Sequence, residues 1–141
     1  TGTVTVTDKQ MTRFWITLAQ GVGFVLSCIE QMHGGEIFIP KIPSAKILDL
    51  VRVFAPRSKV KYIGIRPGEK LHEVLISEDE ARHTIELAES FIIKPVHQWW
   101  KLENWKDGKK LPDNFIYASD SNPNQLTIDQ IHKMKTQLED L

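Results

Sequence analysis

Residues 14–29 form the longest apolar stretch of the chain, interrupted by Thr17, Gln20 and Ser27, and no other segment constrains the fold as much. The stretch falls short of the roughly 20 residues that a membrane span needs, so it reads as a buried helix. Phe14, Leu18, Val22, Val25 and Ile29 recur at spacings of four, four, three and four. Those spacings place them on one stripe of a helix and predict that the stripe is core. Thr7-Asp8-Lys9-Gln10 has the form of a capping box, with Asp8 as a second N-cap candidate, which predicts a helix start near residues 8–12. His33-Gly34-Gly35 supplies the stop. Gly21 and Gly23 each cost a helix up to about 1 kcal/mol relative to alanine, so close approach of another element is expected there. They are not a dinucleotide fingerprint, because Gly21-Val22-Gly23-Phe24-Val25-Leu26 lacks a third glycine and lies mid-helix.

With 141 residues, 41% of them hydrophobic and 26% charged, the chain has the size and composition of one soluble domain, which excludes disorder and collagen-like repeats. Eighteen Lys and Arg balance eighteen Asp and Glu. That balance removes the basic excess on which general nucleic-acid backbone binding depends. The lone cysteine, Cys28, cannot form an internal disulfide, and a reducing cytoplasm is the default compartment. Thr1-Gly-Thr-Val-Thr-Val-Thr7 has neither an initiator Met nor the regions of a signal peptide. It reads as a strand entered partway, and the expectation is a fragment or processed product.

Further along, Glu36–Ile39 reads as a short strand closed by Pro40. Pro43-Ser44 opens a predicted second helix whose apolar positions Ile47, Leu48, Val51 and Phe54 have helical spacing, ending at Ala55-Pro56. Lys59–Ile65 is a predicted strand ending at Pro67-Gly68. Ser77-Glu78-Asp79-Glu80, another capping box, predicts a helix through about Leu87, and Phe91–Ile93 a third strand. His97–Asn124 shows no clear period and reads as a long surface excursion or ordered loop. Thr127-Ile128-Asp129-Gln130 caps a terminal amphipathic helix with Ile131, Met134, Leu138 and Leu141 on one side. The mixture argues for α/β or α+β, with too few strands for a complete doubly wound sheet.

Two places could hold anion chemistry. Arg13 lies about 140° round the helix from the stripe and in its predicted first turn, where dipole, free N–H groups and guanidinium would act together on an anion. A solvated arginine is the simpler reading of position alone. Ile65-Arg66-Pro67-Gly68-Glu69-Lys70 ends a strand in a Pro-Gly turn, which can bring backbone and Arg66 to a phosphate while Glu69 accepts from sugar hydroxyls. A solvated surface turn fits the same residues. Glu69-x-x-His72 and Glu80-x-x-His83 match an element of di-metal bundles, but the Pro-Gly turn forbids the long facing helices such sites need. The five histidines lack ligand spacing, and no metal site is expected. Cys28 reads as an inert thiol. Trp99, Trp100 and Trp105 with Lys101, Lys106, Lys109 and Lys110 could stack single-stranded bases, or pack on the domain or a partner. The neutral charge favours packing.

Three motifs in order then point to one family: Met11-Thr-Arg-Phe-Trp-Ile-Thr17, Met32-His-Gly-Gly-Glu-Ile-Phe-Ile-Pro-Lys-Ile-Pro43 and Ile63-Gly-Ile-Arg-Pro-Gly-Glu-Lys-Leu-His-Glu73. Together they closely resemble the C-terminal part of the inverting UDP-N-acetylglucosamine 4,6-dehydratases, members of the extended short-chain dehydrogenase/reductase superfamily. The resemblance runs from about residue 5 to Phe91 and more loosely to the end. It implies residues 1–96 as a substrate-binding region and 97–141 as a loosely matching C-terminal segment, with an N-terminal NADP-binding Rossmann domain outside the chain. It further implies Arg13, Arg66 and Glu69 as contacts to the UDP-sugar substrate. Family chemistry oxidises the sugar at C4, eliminates water across C5 and C6 and returns the hydride to C6, with inversion at C5. The products feed pseudaminic acid for flagellin glycosylation, or capsule and O-antigen sugars.

The family's glycine loop and Tyr-x-x-x-Lys pair should lie upstream of Thr1, since neither Tyr62 nor Tyr117 is followed by Lys four residues later. No catalytic residue is assigned to this chain. Thr7-Asp8-Lys9 imitates a catalytic triplet but reads as a helix-capping segment. The alternative from another class is a stand-alone module that docks on a Rossmann partner or forms a homo-oligomer through the first helix and the Trp-rich segment, without binding substrate.

Overall fold

The computed structural model describes residues 2–95 and 105–139. Its elements run β1 (Thr3–Val6), β2 (Thr12–Phe14), α1 (Leu18–Gln31), β3 (Ile37–Pro40), β4 (Ser44–Lys46), α2 (Ile47–Phe54) and β5 (Lys59–Tyr62), then β6 (Val74–Ile76), α3 (Glu78–Ala81), β7 (Thr84–Glu86), β8 (Ser90–Ile93), β9 (Lys109–Lys110), β10 (Tyr117–Ala118) and α4 (Ile128–Glu139). This is a mixed helix and short-strand protein, in keeping with the expected class. It forms two compact units, each assembled from separated stretches: Thr1–Trp15, Pro43–Glu73 and Ala118–Leu141 in the first, Ile16–Ile42 and Val74–Tyr117 in the second.

In the first unit β1 pairs in parallel with β5, Thr3 opposite Lys59 and Val6 opposite Tyr62. Helix α2 packs against β1 and against α4. Ala45, Leu50, Val53 and Ile131 form the buried centre, with Trp15, Ile47 and Leu126 packed around it. The terminal helix thus buries Ile131 as expected, and its predicted cap holds: Thr127 N–H donates to Gln130 Oε1 and Gln130 N–H to Thr127 Oγ1. The side chains of Leu138 and Leu141 lie outside the described residues. The second helix starts later than expected. Ser44–Lys46 is strand, because Ser44 and Ala45 are fully buried where they pair with β2. Likewise the strand predicted over 59–65 ends at Tyr62, and the chain turns at Gly64, whose φ of 80° favours glycine.

In the second unit an antiparallel sheet runs in the order β3-β8-β7-β9. The apolar run Phe91-Ile92-Ile93 lies in an interior strand, with Ile92 fully buried, and Phe91 packs on Phe115 and Tyr117. Edge strand β3 ends in Pro40, and the opposite edge, β9, presents two exposed lysines. The helix predicted from Ser77 to Leu87 is one turn only. Ser77 and Glu80 do form the capping box, but the β-branched pair Thr84-Ile85 leaves the helix to pair with β8. Gly108 passes so close to the sheet that a Cβ there would fall 2.7 Å from Ile85. Trp105 meets His33 and Phe38 edge-on at 5.4 and 5.5 Å, the packing reading of that aromatic. Trp99, Trp100 and Lys101 lie outside the described residues.

The largest departure concerns the first helix. Residues 12–14 are strand β2, and α1 begins at Leu18, capped by Thr17 and Gln20 and not by Thr7 and Gln10. Asp8 closes a tight turn instead, accepting from Gln10 N–H at 2.7 Å. The helix ends just before His33-Gly34-Gly35: Gln31 is its last residue, Met32 is its extended C-cap, and Gly34 and Gly35 take φ values of 107° and 88° in the turn that follows. Its apolar stripe, however, is not core: no residue of α1 is buried, and Leu18 is 85% exposed.

Candidate functional site

Strand β2 sets the site by alternation. Paired antiparallel to β4, it turns Thr12 inward and Arg13 to the other side, opposite Ala45. The buried Thr12 hydroxyl hydrogen-bonds His72 Nδ1 at 2.8 Å and Ser119 Oγ at 2.7 Å. Ser119 Oγ accepts from Glu73 N–H, and Ser119 N–H donates to the Glu73 carbonyl. Arg13 donates from Nη1 to the carbonyls of Thr12 and Leu71 and from Nη2 to that of Lys70, while its Nε stands 3.3 Å from Glu73 Oε1.

Residues 70–73 are therefore held by three side chains from elsewhere in the unit. The start of the same loop is held separately. Glu69 N–H closes the Arg66-Pro67-Gly68-Glu69 turn onto the Arg66 carbonyl, with Gly68 at φ 80°. The Glu69 carboxylate accepts from Arg66 N–H at 3.2 Å and from Thr7 Oγ1 at 3.1 Å. The Arg66 guanidinium is left exposed, in no ion pair among the described residues.

Arg13, Arg66 and Glu69 thus belong to one loop and its support, but in different ways. Arg13 is not at a helix N-terminus. It lies on a strand, and a guanidinium already shared among three carbonyls and a carboxylate has little unspent donor capacity. Arg66 is the free cation of the three, and Glu69 orders the turn that presents it. Thr12 carries a sequence signal only as part of the predicted first helix and of the Met11–Thr17 motif, and Ser119 lies in a stretch with no clear period. Thr7, expected to cap a helix, proves to brace Glu69.

A cleft of about 680 Å³ adjoins this support, lined among others by Lys9, Thr12, Lys46, Asp49, His72 and Asp120. Its charges balance. Partial desolvation raises the half-buried Cys28 thiol above its ordinary pKa, away from nucleophilic use. The chain's glycines do not fit a dinucleotide: Gly21 and Gly23 lie inside α1, and those with positive φ sit in turns that open no helix.

The described residues form a mixed helix and short-strand protein in which the exposed Arg66 stands on a Pro-Gly turn held by Glu69 and Thr7. The chain belongs to the polysaccharide biosynthesis protein family, whose profile matches residues 1–95. It is 50% identical over 125 residues to a UDP-N-acetylglucosamine 4,6-dehydratase (inverting) of Campylobacter jejuni, a match covering 84% of this chain and 37% of that protein. A UDP-glucose 4-epimerase of Rickettsia bellii is 38% identical over 81 residues, 55% of this chain and 24% of the relative. Pen from Bacillus thuringiensis, solved by X-ray crystallography, superposes with a TM-score of 0.82 and 30% identity, covering 99% of this chain and 43% of that one. The chain therefore spans well under half the length of these relatives. Among the described residues no helix is long and apolar enough to cross a membrane.

Proposed function

We propose that this chain is the UDP-N-acetylglucosamine-binding portion of an NADP-dependent, inverting 4,6-dehydratase, contributing to bacterial surface or flagellar glycan synthesis in the cytoplasm and inactive alone. Residues 1–96 carry the substrate contacts, and NADP belongs to the N-terminal Rossmann domain of the parent enzyme. The observation that carries this reading is the Arg66–Glu69 turn: an exposed guanidinium whose backbone is fixed by Glu69 and Thr7, in a chain half identical to a 4,6-dehydratase. Arg66 clamps the diphosphate through paired N–H donors. Arg13 keeps residues 70–73 in place and offers its remaining Nη2 proton to the same phosphates. Glu69 holds the turn and accepts from the sugar.

Calorimetric titration of the chain with UDP tests the reading. Arg66→Ala is expected to weaken binding at least tenfold, about the 1.4 kcal/mol lower range of a charge-assisted contact, and Arg66→Lys to restore little of it. Unchanged affinity in Arg66→Ala would remove Arg66 from the site. Joined to the N-terminal portion of the Campylobacter relative, the chain should turn UDP-N-acetylglucosamine into a 4-keto-6-deoxy sugar; a folded, NADP-loaded chimera that leaves the substrate untouched overturns the reading.

A further inference from the structure

Glu69-x-x-His72 lies in the loop that follows the Arg66 turn, and its metal-like spacing has another use here. Each of the two residues meets a threonine hydroxyl from the stretch that joins β1 to β2. Thr7 Oγ1 donates to Glu69 Oε1 at 3.1 Å, and Thr12 Oγ1 lies 2.8 Å from His72 Nδ1. Only the second bond leaves its direction open, because a neutral imidazole nitrogen can donate or accept.

Counting protons fixes that direction. Glu73 N–H can only donate, so Ser119 Oγ accepts it, at 2.9 Å. Ser119 Oγ also lies 2.7 Å from Thr12 Oγ1, and among the described residues it has no third partner. Were His72 Nδ1 the donor, the Thr12–Ser119 bond could use only one of the two hydroxyl protons. The other would be left without an acceptor between two buried side chains, which is costly. In the opposite direction every proton is used: Glu73 N–H to Ser119, Ser119 O–H to Thr12, Thr12 O–H to His72 Nδ1. An Nδ1 that accepts puts the proton of the neutral ring on Nε2.

We propose that His72 is a positioning residue for Arg66. Glu69 and His72 are a pair of acceptors, three residues apart, clipped onto the hydroxyls of Thr7 and Thr12. Arg13 grips the carbonyls of Lys70 and Leu71 from outside, whereas the clip reaches out from the loop itself. The backbone leading from the Arg66 turn is thereby tied at both ends, so the loop is ordered before a ligand arrives and the cost of ordering it does not fall on binding. His72 acts through its Nδ1 acceptor and not by touching the diphosphate. This deepens the reading of Arg66 as a diphosphate clamp and rests on it for the ligand, while the direction of the hydrogen-bond chain does not.

Long-range proton–nitrogen correlation spectra of the histidine-labelled chain, in mildly alkaline buffer, read the tautomer directly. His72 is expected to show a bare Nδ1 and a protonated Nε2, and Thr12→Val to return it to the mixture of an unrestrained ring. UDP titration then tests the positioning. His72→Phe keeps a flat ring without the acceptor, and should weaken UDP binding about tenfold and speed amide exchange across residues 69–73. His72→Asn carries an oxygen where Nδ1 stood, and should restore both to within about threefold of the unsubstituted chain. A side chain that merely fills space would behave the other way round, tolerating Phe and not Asn. Should His72→Phe not fold, Thr12→Val removes the same bond from its donor side and should give the same loss. Three results overturn the proposal: a ring protonated on Nδ1, unchanged UDP affinity in both His72→Phe and Thr12→Val, or a His72→Asn chain as impaired as His72→Phe. If the unsubstituted chain binds no UDP, the ligand reading falls by itself, and amide exchange of residues 66–73 in the same variants still decides whether the bond holds the loop.

Discussion

Helix α2 delivers Leu50 and Val53 to the core of the first unit, while α1, longer and as regularly spaced, leaves Leu18, Val22, Val25 and Ile29 in solvent. Both have an apolar stripe. Among the described residues only α2 has residues buried against its neighbours, which include β1 and α4. Periodicity identifies the face that seeks cover, and the rest of the molecule decides whether cover exists. In α2 it also decides which residues go in. Phe54, on the predicted stripe, stays 42% exposed beside Trp15, while Val53 next to it is buried.

The sharpest way to break this contrast is a pair of truncations. Ile131→Ala removes a side chain that is 1% exposed in the cluster α2 builds, and should cost the isolated chain about 2–4 kcal/mol by urea unfolding. Ile29→Ala, at 60% exposure, should stay within about 0.5 kcal/mol. Equal losses would mean that α1 is packed within this chain. A smaller effect of opposite sign comes next: Gly23→Ala, with open space for the new Cβ, should slow exchange of the α1 amides in the isolated chain by about 0.5–1 kcal/mol. A loss of protection would reveal a neighbour that the helix already has.

The smallest effect contrasts two helix caps. Helix α1 is capped by Thr17 and the uncharged Gln20, α3 by Ser77 and the ionisable Glu80. Hydrogen bonds from the Ser77 hydroxyl, then its backbone N–H, hold the Glu80 carboxyl below the usual glutamate value. A depressed carboxylate pKa contributes stability above the unfolded-state value and loses it as pH falls through the folded one. The Ser77 and Glu80 amide resonances should therefore move at acid pH, with a midpoint below that of an ordinary glutamate. Those of Thr17 and Gln20 should not, and Glu80→Gln should abolish the movement.

Local chemistry was legible wherever a side chain acts on its own neighbours. The boxes at Ser77 and Thr127, the stop at Gly34-Gly35, the Pro67-Gly68 turn and the interior strand at Phe91–Ile93 all stand where residue type put them. Thr7-x-x-Gln10 misled because Thr17-x-x-Gln20 has the same form; the choice was made by β4, which pairs with residues 12–14, a contact some thirty residues distant. The same pairing changed Arg13 from a helix-end anion site into a brace for residues 70–73. Thr84-Ile85 left its helix for an equally non-local reason, the pairing with β8. Thr12, Ser119 and His72 came together from three stretches with no shared pattern, and a hydroxyl that finds its partner 107 positions away leaves no periodic trace.

The edges of the four-stranded sheet bear on how the chain behaves when produced by itself. Pro40 lacks an N–H to offer an incoming strand, and Lys109 and Lys110 place two positive charges on the short opposite edge, which would face their own copies in any edge-to-edge stack. Ordered cross-β growth is thus discouraged at both ends of the sheet, while α1 leaves a sticky helical surface unguarded. Turbidity in concentrated preparations should accordingly be amorphous, blind to thioflavin, cleared by mild detergent and relieved by a single acidic substitution at Val25.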